Sequence, residues 1–461
     1  LKNLDNIRNI YFLGIGGIGM SALARYFLLS GKKVAGYDRT ETPLTKQLET
    51  EGIPIHYFDN INLIDPDFLT PENTAVIYTP ALPKDHSEFN HFSKKGFPVY
   101  KRSQVLGLIS RNYKTIAVAG THGKTTVSTM IAHIMWESSE GCNAFLGGIS
   151  KNFRSNLAAN PSSSWVVTEA DEFDRSFLQL YPFASVITAM DPDHLDIYGT
   201  AEVMNEAFFL YASQIDRNGI ALIKSGLPLS VNVLPKHTVS YSLQEGGDFY
   251  AKNIHLEGTR YHFDLIGPNI TIEDISLEHP GLVNVENAVA ASAMTWLLGI
   301  DPLHIRKSLY GFSGIERRFD YKIKSDSIIY IDDYAHHPGE IEATLKSVRD
   351  MHPGKKITGV FQPHLFSRTR DLADGFAESL SLLDRLILLD IYPARELPIE
   401  GVTSELIFRN VKINDKIMCH KEQLTEIIDS LDLEILITLG AGDIDKLVNP
   451  IMKQLQRKAK A

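Results

Sequence analysis

The sequence predicts an α/β protein of three domains. Its 461 residues are more than one hydrophobic core organises, at roughly 100 to 200 residues per domain. Short apolar runs that stop at glycine, acidic residues or histidine alternate with stretches of helical period, the pattern of parallel sheets with crossover helices. Two glycine-rich turns, at 14–19 and 120–126, each follow an apolar run and open a helical stretch.

Composition narrows the class of function. Apolar residues make up 44% and charged residues 22%, which is ordinary for a globular chain. A formal net charge of -10 gives no global attraction to nucleic acid or an anionic membrane, so a phosphate-bearing ligand has to be met by local groups. Cys142 and Cys419 are the only cysteines, far apart in sequence and in no metal-ligand spacing, which argues against a disulfide framework or a zinc site. No apolar run approaches the ~20 residues that span a bilayer, and residues 1–8 lack a signal-peptide core. The expectation is a cytoplasmic chain, a monomer or homodimer, with no membrane insertion and no nucleic-acid partner.

The first domain is expected over 1–113. Apolar runs at 10–13 and 33–37 flank a helical stretch at 20–29, a βαβ opening, and runs at 75–78 and 97–100 continue the pattern up to the polar stretch 110–114. The second domain, 114–314, starts with a strand at 115–119, a glycine loop and a helix at 124–136. Strands at 165–168 and 184–188 follow, then an alternating region at 241–275 that reads as antiparallel strands, and a helix at 284–298. Small residues at 311–314 mark the next boundary. The third domain, 315–461, repeats the theme with strands at 327–331, 357–361, 386–389 and 434–439.

The sharpest motif is Gly120-Thr121-His122-Gly123-Lys124-Thr125-Thr126. Its glycines let backbone N–H groups turn toward phosphate oxygens, Lys124 can neutralise the terminal phosphates, and Thr125 can offer a hydroxyl to Mg²⁺. It is a short form of the phosphate loop, because Val118 stands where the longer form has its first glycine. Glu169-Ala-Asp-Glu172 and Asp193-His194-Leu-Asp196 each follow a strand, so Glu169 and His194 can supply metal ligands beside Thr125. Arg317-Arg318-Phe319 puts two arginines just after the 311–314 boundary, where they can reach phosphate or carboxylate, while Asp332-Asp333-Tyr334-Ala335-His336-His337 and Gln362-Pro363-His364 through Arg368 end strands of the third domain. Gly14-Ile15-Gly16-Gly17-Ile18-Gly19 with Asp38 downstream matches the dinucleotide fingerprint, whose physics serves any nucleotide diphosphate.

Taken together these motifs resemble the Mur ligases along nearly the whole chain. The resemblance implies an N-terminal Rossmann-like domain that holds a UDP sugar, a central P-loop ATPase-type domain, and a C-terminal Rossmann-like domain that closes over both and receives an amino acid. Gly-Ile-Gly-Gly-Ile-Gly-Met-Ser at 14–21 is similar to the branch that takes UDP-N-acetylmuramate and L-alanine. By the same resemblance, ATP is held by Gly120, Thr121, Gly123, Lys124, Thr125, Thr126, Asn284, Asn287, Arg318 and Asp333, and Mg²⁺ by Thr125, Glu169 and His194. Gly14, Gly16, Gly17, Gly19, Asp38 and Arg102 face the UDP sugar, while Tyr334, His336 and Arg368 meet the amino acid or the nascent product. Lys124, His194, His336 and Arg368 are the expected catalytic residues.

The chain departs from the family pattern in places. Leu282-Val283 stands where Arg-His is common, Ala189 where asparagine is common, and Phe173 and Arg175 where serine and glycine are; Leu365 replaces a basic residue. The stretch 203–215 has no lysine to carbamylate, and Glu206 is its acidic residue. A sister ligase that attaches a recycled murein peptide to the same UDP sugar, and a nucleotide-switch protein that makes no amide, are the alternatives.

Overall fold

The computed structural model describes residues 4–192, 195–394 and 396–458. They form two compact units, one drawn from 1–255, 262–276 and 285–313, the other from 256–261, 277–284 and 314–461.

The first unit opens with a five-stranded parallel sheet. Its strands are β1 (Asn9–Leu13), β2 (Lys33–Tyr37), β3 (Ile55–His56), β4 (Thr74–Tyr78) and β5 (Val99–Lys101), in the order β3-β2-β1-β4-β5. Order reverses at β1, so its carboxyl end is a topological switch point, where open α/β sheets receive ligands. The polar stretch at 110–114 ends the helix Arg102–Asn112 and starts the next strand; the buried Ser110 hydroxyl bonds back to Gly107 O at 2.8 Å and Thr115 closes on Ser110 O at 3.0 Å.

Ten strands make the second sheet: β6 (Lys114–Ala119), β7 (Asn143–Ser150), β8 (Ser155–Ala158), β9 (Trp165–Ala170), β10 (Ala184–Ile187), β11 (Ile220–Lys224), β12 (His237–Ser242), β13 (Phe249–Glu257), β14 (Arg260–Gly267) and β15 (Ile270–Leu277), in the order β15-β14-β13-β12-β11-β10-β6-β9-β7-β8. β6 lies between β10 and β9, parallel to both, which buries it and explains its unbroken apolar run. The alternating region is only partly antiparallel. Two-residue connections can join β13 to β14 and β14 to β15 only as hairpins, yet β12 pairs with β13 in parallel.

In the second unit, β16 (Asp320–Lys324), β17 (Ile329–Asp333), β18 (Ile357–Phe361), β19 (Arg385–Leu389), β20 (Lys416–Cys419) and β21 (Ile435–Leu439) form a sheet of order β16-β17-β21-β18-β19-β20. Only β16 runs antiparallel to its neighbour. Apolar clusters cover both faces, which is why its parallel strands read as continuous hydrophobic runs. Among the described residues no helix is long and apolar enough to cross a membrane.

Candidate active site

The phosphate loop leaves β6 at Gly120, whose φ of 132° is open to glycine and whose added Cβ would meet Thr188 Oγ1. Gly123 caps the helix Lys124–Glu137 at φ 81°, so the loop's amides turn toward the positive end of that helix. Thr121 N donates to Ala189 O at 3.2 Å, and the Thr121 hydroxyl accepts from Asp191 N at 3.2 Å, which ties the loop to the segment after β10. Thr121, Thr125 and Thr126 are buried. A Cβ on Gly123 would stand 2.9 Å from Asn287 Oδ1, which places that carboxamide against the loop.

Lys124 is not a solvated loop lysine. Its Nζ donates to Gly120 O at 2.6 Å and to both carboxylate oxygens of Glu172 at 2.8 and 2.9 Å. Burial alone would lower its pKa, but Glu172, Asp171 and Glu169 outweigh that and raise it, so the lysine stays charged. Pairing between β6 and β9 sets Glu169 beside Val118, one strand across from the loop, and Glu169 Oε1 accepts from Gly147 N at 2.9 Å. His194 lies outside the described residues. Glu206 is exposed on the helix Ala201–Ser213.

The first glycine turn carries more internal bracing than its motif suggests. Asp38 accepts from Gly16 N at 2.8 Å and from Thr40 N at 3.0 Å, so both carboxylate oxygens are engaged by backbone. Gly14 has φ 85°, and a Cβ on Gly16 would lie 2.7 Å from Thr45 Cγ2 and 2.9 Å from Asp38 Oδ2. Gly17, at φ -66°, caps the helix Ile18–Leu29, and a Cβ there meets nothing closer than 3.7 Å. Arg102 lies over the helix start, 2.6 Å from where a Gly19 Cβ would be, and pairs at 3.5 Å with Asp171.

In the second unit, Asp333 at the end of β17 accepts from Phe319 N at 2.8 Å and Ala335 N at 2.7 Å. Burial raises its carboxyl to about 6 against the opposing charge of Arg318. Arg317 bonds Asp332 at 3.2 Å and Gly440 O at 2.6 Å, while Arg318 lies 5.0 Å from the centre of the Tyr334 ring. Tyr334, His336, His364 and Tyr392 form a chain of ring contacts at 5.2, 6.2 and 5.8 Å. His336 Nδ1 is 3.1 Å from Tyr334 O, which can only accept, so the proton sits on Nδ1 and Nε2 keeps a lone pair. Burial holds this ring near pKa about 4; Glu340 opposes, and Arg368 and Arg318 add to the lowering. Asn284 Nδ2 donates to Pro280 O at 2.5 Å.

Glu172 and Glu340 were not singled out as site residues from the sequence. Glu172 closes the Glu-Ala-Asp-Glu motif, which was the available signal; Glu340, which accepts from His336 N at 3.0 Å, has no motif of its own.

A phosphate loop between parallel strands, an acidic strand end beside it, and a separate, mostly parallel sheet bearing a half-buried histidine and paired arginines define a multidomain nucleotide-dependent α/β enzyme. Three family models match in chain order: the Mur ligase family catalytic domain at 9–114, the Mur ligase middle domain at 118–295 and the Mur ligase glutamate ligase domain at 317–442. The chain belongs to the Mur ligase family. It is 50% identical to the UDP-N-acetylmuramate–L-alanine ligase of Parabacteroides distasonis over 98% of both chains, and 50% identical to that of Phocaeicola vulgatus over 99% of this chain and 100% of the relative. The crystal structure of the UDP-N-acetylmuramate–alanine ligase of Thermotoga maritima superposes with a TM-score of 0.83 at 27% identity, covering 98% of this chain and 99% of that one. A murein peptide ligase from Psychrobacter arcticus shares the fold, with a TM-score of 0.72 at 21% identity over 97% of this chain and 98% of that one.

Proposed function

We propose that this chain is an ATP-dependent ligase that joins L-alanine to the lactyl carboxylate of UDP-N-acetylmuramate, in peptidoglycan precursor synthesis. The observation that carries the reading is end-to-end identity of 50% with relatives of that name. A charged Lys124 at the mouth of a phosphate loop supports it.

A carboxylate is a poor electrophile, so its oxygen first attacks the γ-phosphorus of ATP and the bond to ADP breaks. The amine of L-alanine then attacks the acyl phosphate carbon, and inorganic phosphate leaves. Lys124 and the loop amides offset negative charge on the transferring group. Thr125 and Glu169 suit Mg²⁺: a hydroxyl and a carboxylate are hard oxygen donors, and strand register sets Glu169 beside the loop strand. Mg²⁺ held there would supply further positive charge to the phosphoryl oxygens. Arg102 at the first glycine turn is suited to the UDP diphosphate, and Arg368 to the amino-acid carboxylate. The amine nitrogen becomes acidic once it has added to the acyl phosphate carbon, and the Nε2 lone pair of neutral His336 is suited to take a proton from it at that point.

Phosphate release, measured with ATP, UDP-N-acetylmuramate and L-alanine omitted in turn, tests the reading. One amide per ADP is expected, with all three required. Turnover with a murein peptide but not with L-alanine would make the chain the sister ligase, and ATP hydrolysis without amide would make it a nucleotide switch.

A further inference from the structure

Every proton of the Lys124 ammonium has an acceptor within the protein itself. Gly120 O lies at 2.6 Å, and the Glu172 oxygens lie at 2.8 and 2.9 Å. An ammonium has three protons, so a phosphate oxygen can be met only by loosening one of these bonds. Glu172 is placed for this by its backbone rather than by chance of rotamer. Its side chain is 1% exposed, and its carbonyl accepts the Tyr198 hydroxyl at 2.6 Å. The chain then turns through Asp174 and Arg175 at φ 52° and 54°, backbone that L residues rarely adopt.

We propose that Glu172 is a positioning residue of the nucleotide site: it holds Lys124 at the loop and competes with the nucleotide's phosphates for it. This rests on the assignment of 120–126 as the ATP loop. A buried carboxylate also repels a polyphosphate at short range, where little water screens the two charges. Removing the charge therefore favours nucleotide binding. It also frees the lysine from the geometry that aims it, so tighter binding comes with slower turnover.

The test is Glu172→Gln in the full chain, which keeps the shape and removes the charge. Calorimetric titration with ATP, once with Mg²⁺ and once with EDTA, is expected to show a Kd lower by about five- to tenfold in both conditions, together with a reduced kcat. Glu172→Asp, which restores the charge, is expected to return the affinity toward that of the unmodified chain. An unchanged Kd with a lowered Tm would leave Glu172 a structural residue only. Weaker binding confined to Mg²⁺ would make it a metal ligand, and either result overturns the proposal. If Glu172→Gln alone does not fold, Glu172→Asp carries the test: its shorter side chain loosens the hold on Lys124, so a lower Kd for ATP than in the unmodified chain, both with Mg²⁺ and with EDTA, supports the proposal, and an unchanged Kd overturns it. Failure of the unmodified chain to bind ATP would sink the loop assignment instead, so the two failures are distinct.

Discussion

A lysine that faces solvent and a lysine buried against a carboxylate answer substitution differently. Lys124→Ala is expected to cost roughly 10² to 10³ in turnover, or about 3 to 4 kcal/mol of barrier, because one placed charge on a transferring phosphate is lost. It is also expected to destabilise the fold by about 3 to 5 kcal/mol, since it strands Glu172 in the interior. Near-normal turnover in a folded variant would overturn the loop assignment. The motif made Lys124 legible as a phosphate ligand, but its partner lies 48 residues away, and nothing local in the sequence pairs the two. His336 poses the same problem: adjacent histidines suggest a metal, whereas burial and the bond to Tyr334 O make this one a neutral imidazole. Its folded pKa of about 4 lies below the ordinary 6.5, so the unfolded chain protonates first as pH falls. The stabilising contribution is whole above about pH 6.5 and is lost by about pH 4, at most about 3 kcal/mol for one site. His336→Asn should flatten that acid limb in denaturant unfolding; the same slope in both chains would show that the histidine is not held neutral.

At the scale of elements, strands were legible wherever parallel neighbours bury both faces, as in β1, β6, β18 and β21, because such strands must be apolar throughout. The helix Arg102–Asn112 was not, because its arginines and serines sit among apolar residues too few to show a period. The bracing of the first helix was also hidden. Arg25, 5% exposed, bonds Glu51 at 2.7 and 2.8 Å and reaches Asn156 Oδ1, while Asn156 Nδ2 returns to Ser21 Oγ at 2.8 Å. These bonds join the first sheet's leading helix to β8. Arg25→Ala should cost about 2 to 4 kcal/mol, discounted for the partial exposure of Glu51, with the loss read as a lowered midpoint in thermal unfolding. Little change would mean that water replaces the guanidinium freely. At the head of the same helix, Gly16→Val drives a branched side chain into Thr45 and Asp38. It should weaken UDP-N-acetylmuramate binding roughly tenfold or more in calorimetry. The unmodified chain should bind that ligand well and NADH little. Tight NADH binding with none of the UDP sugar would restore the dinucleotide reading of the glycine turn.

For the molecule as a whole, the described residues pack as two compact units. The first glycine turn and the phosphate loop lie in the segments 1–113 and 114–314, and the described residues carrying both belong to one compact unit, with the Arg25–Asn156 bond and the Arg102–Asp171 pair running between the two segments. A fragment ending at 113 would leave Arg25 without Asn156 and uncover the helix face that packs on β7 and β8. The second unit also draws on residues before 314. It takes in 256–261 and 277–284, and Lys324 bonds Thr259 at 3.2 Å while Gly281 closes on Ser347. Two units, each with its own apolar core, should unfold separately, so scanning calorimetry of the full chain should resolve two transitions rather than one. Arg25→Ala identifies the transition of the first unit by lowering it alone. UDP-N-acetylmuramate, which on the present assignment binds that unit, should raise the same transition, by about 2.7 kcal/mol at a hundredfold excess over Kd. A single transition that shifts as one with every ligand would show that the units do not unfold independently. A rise confined to the other transition would move the UDP-sugar site away from the glycine turn.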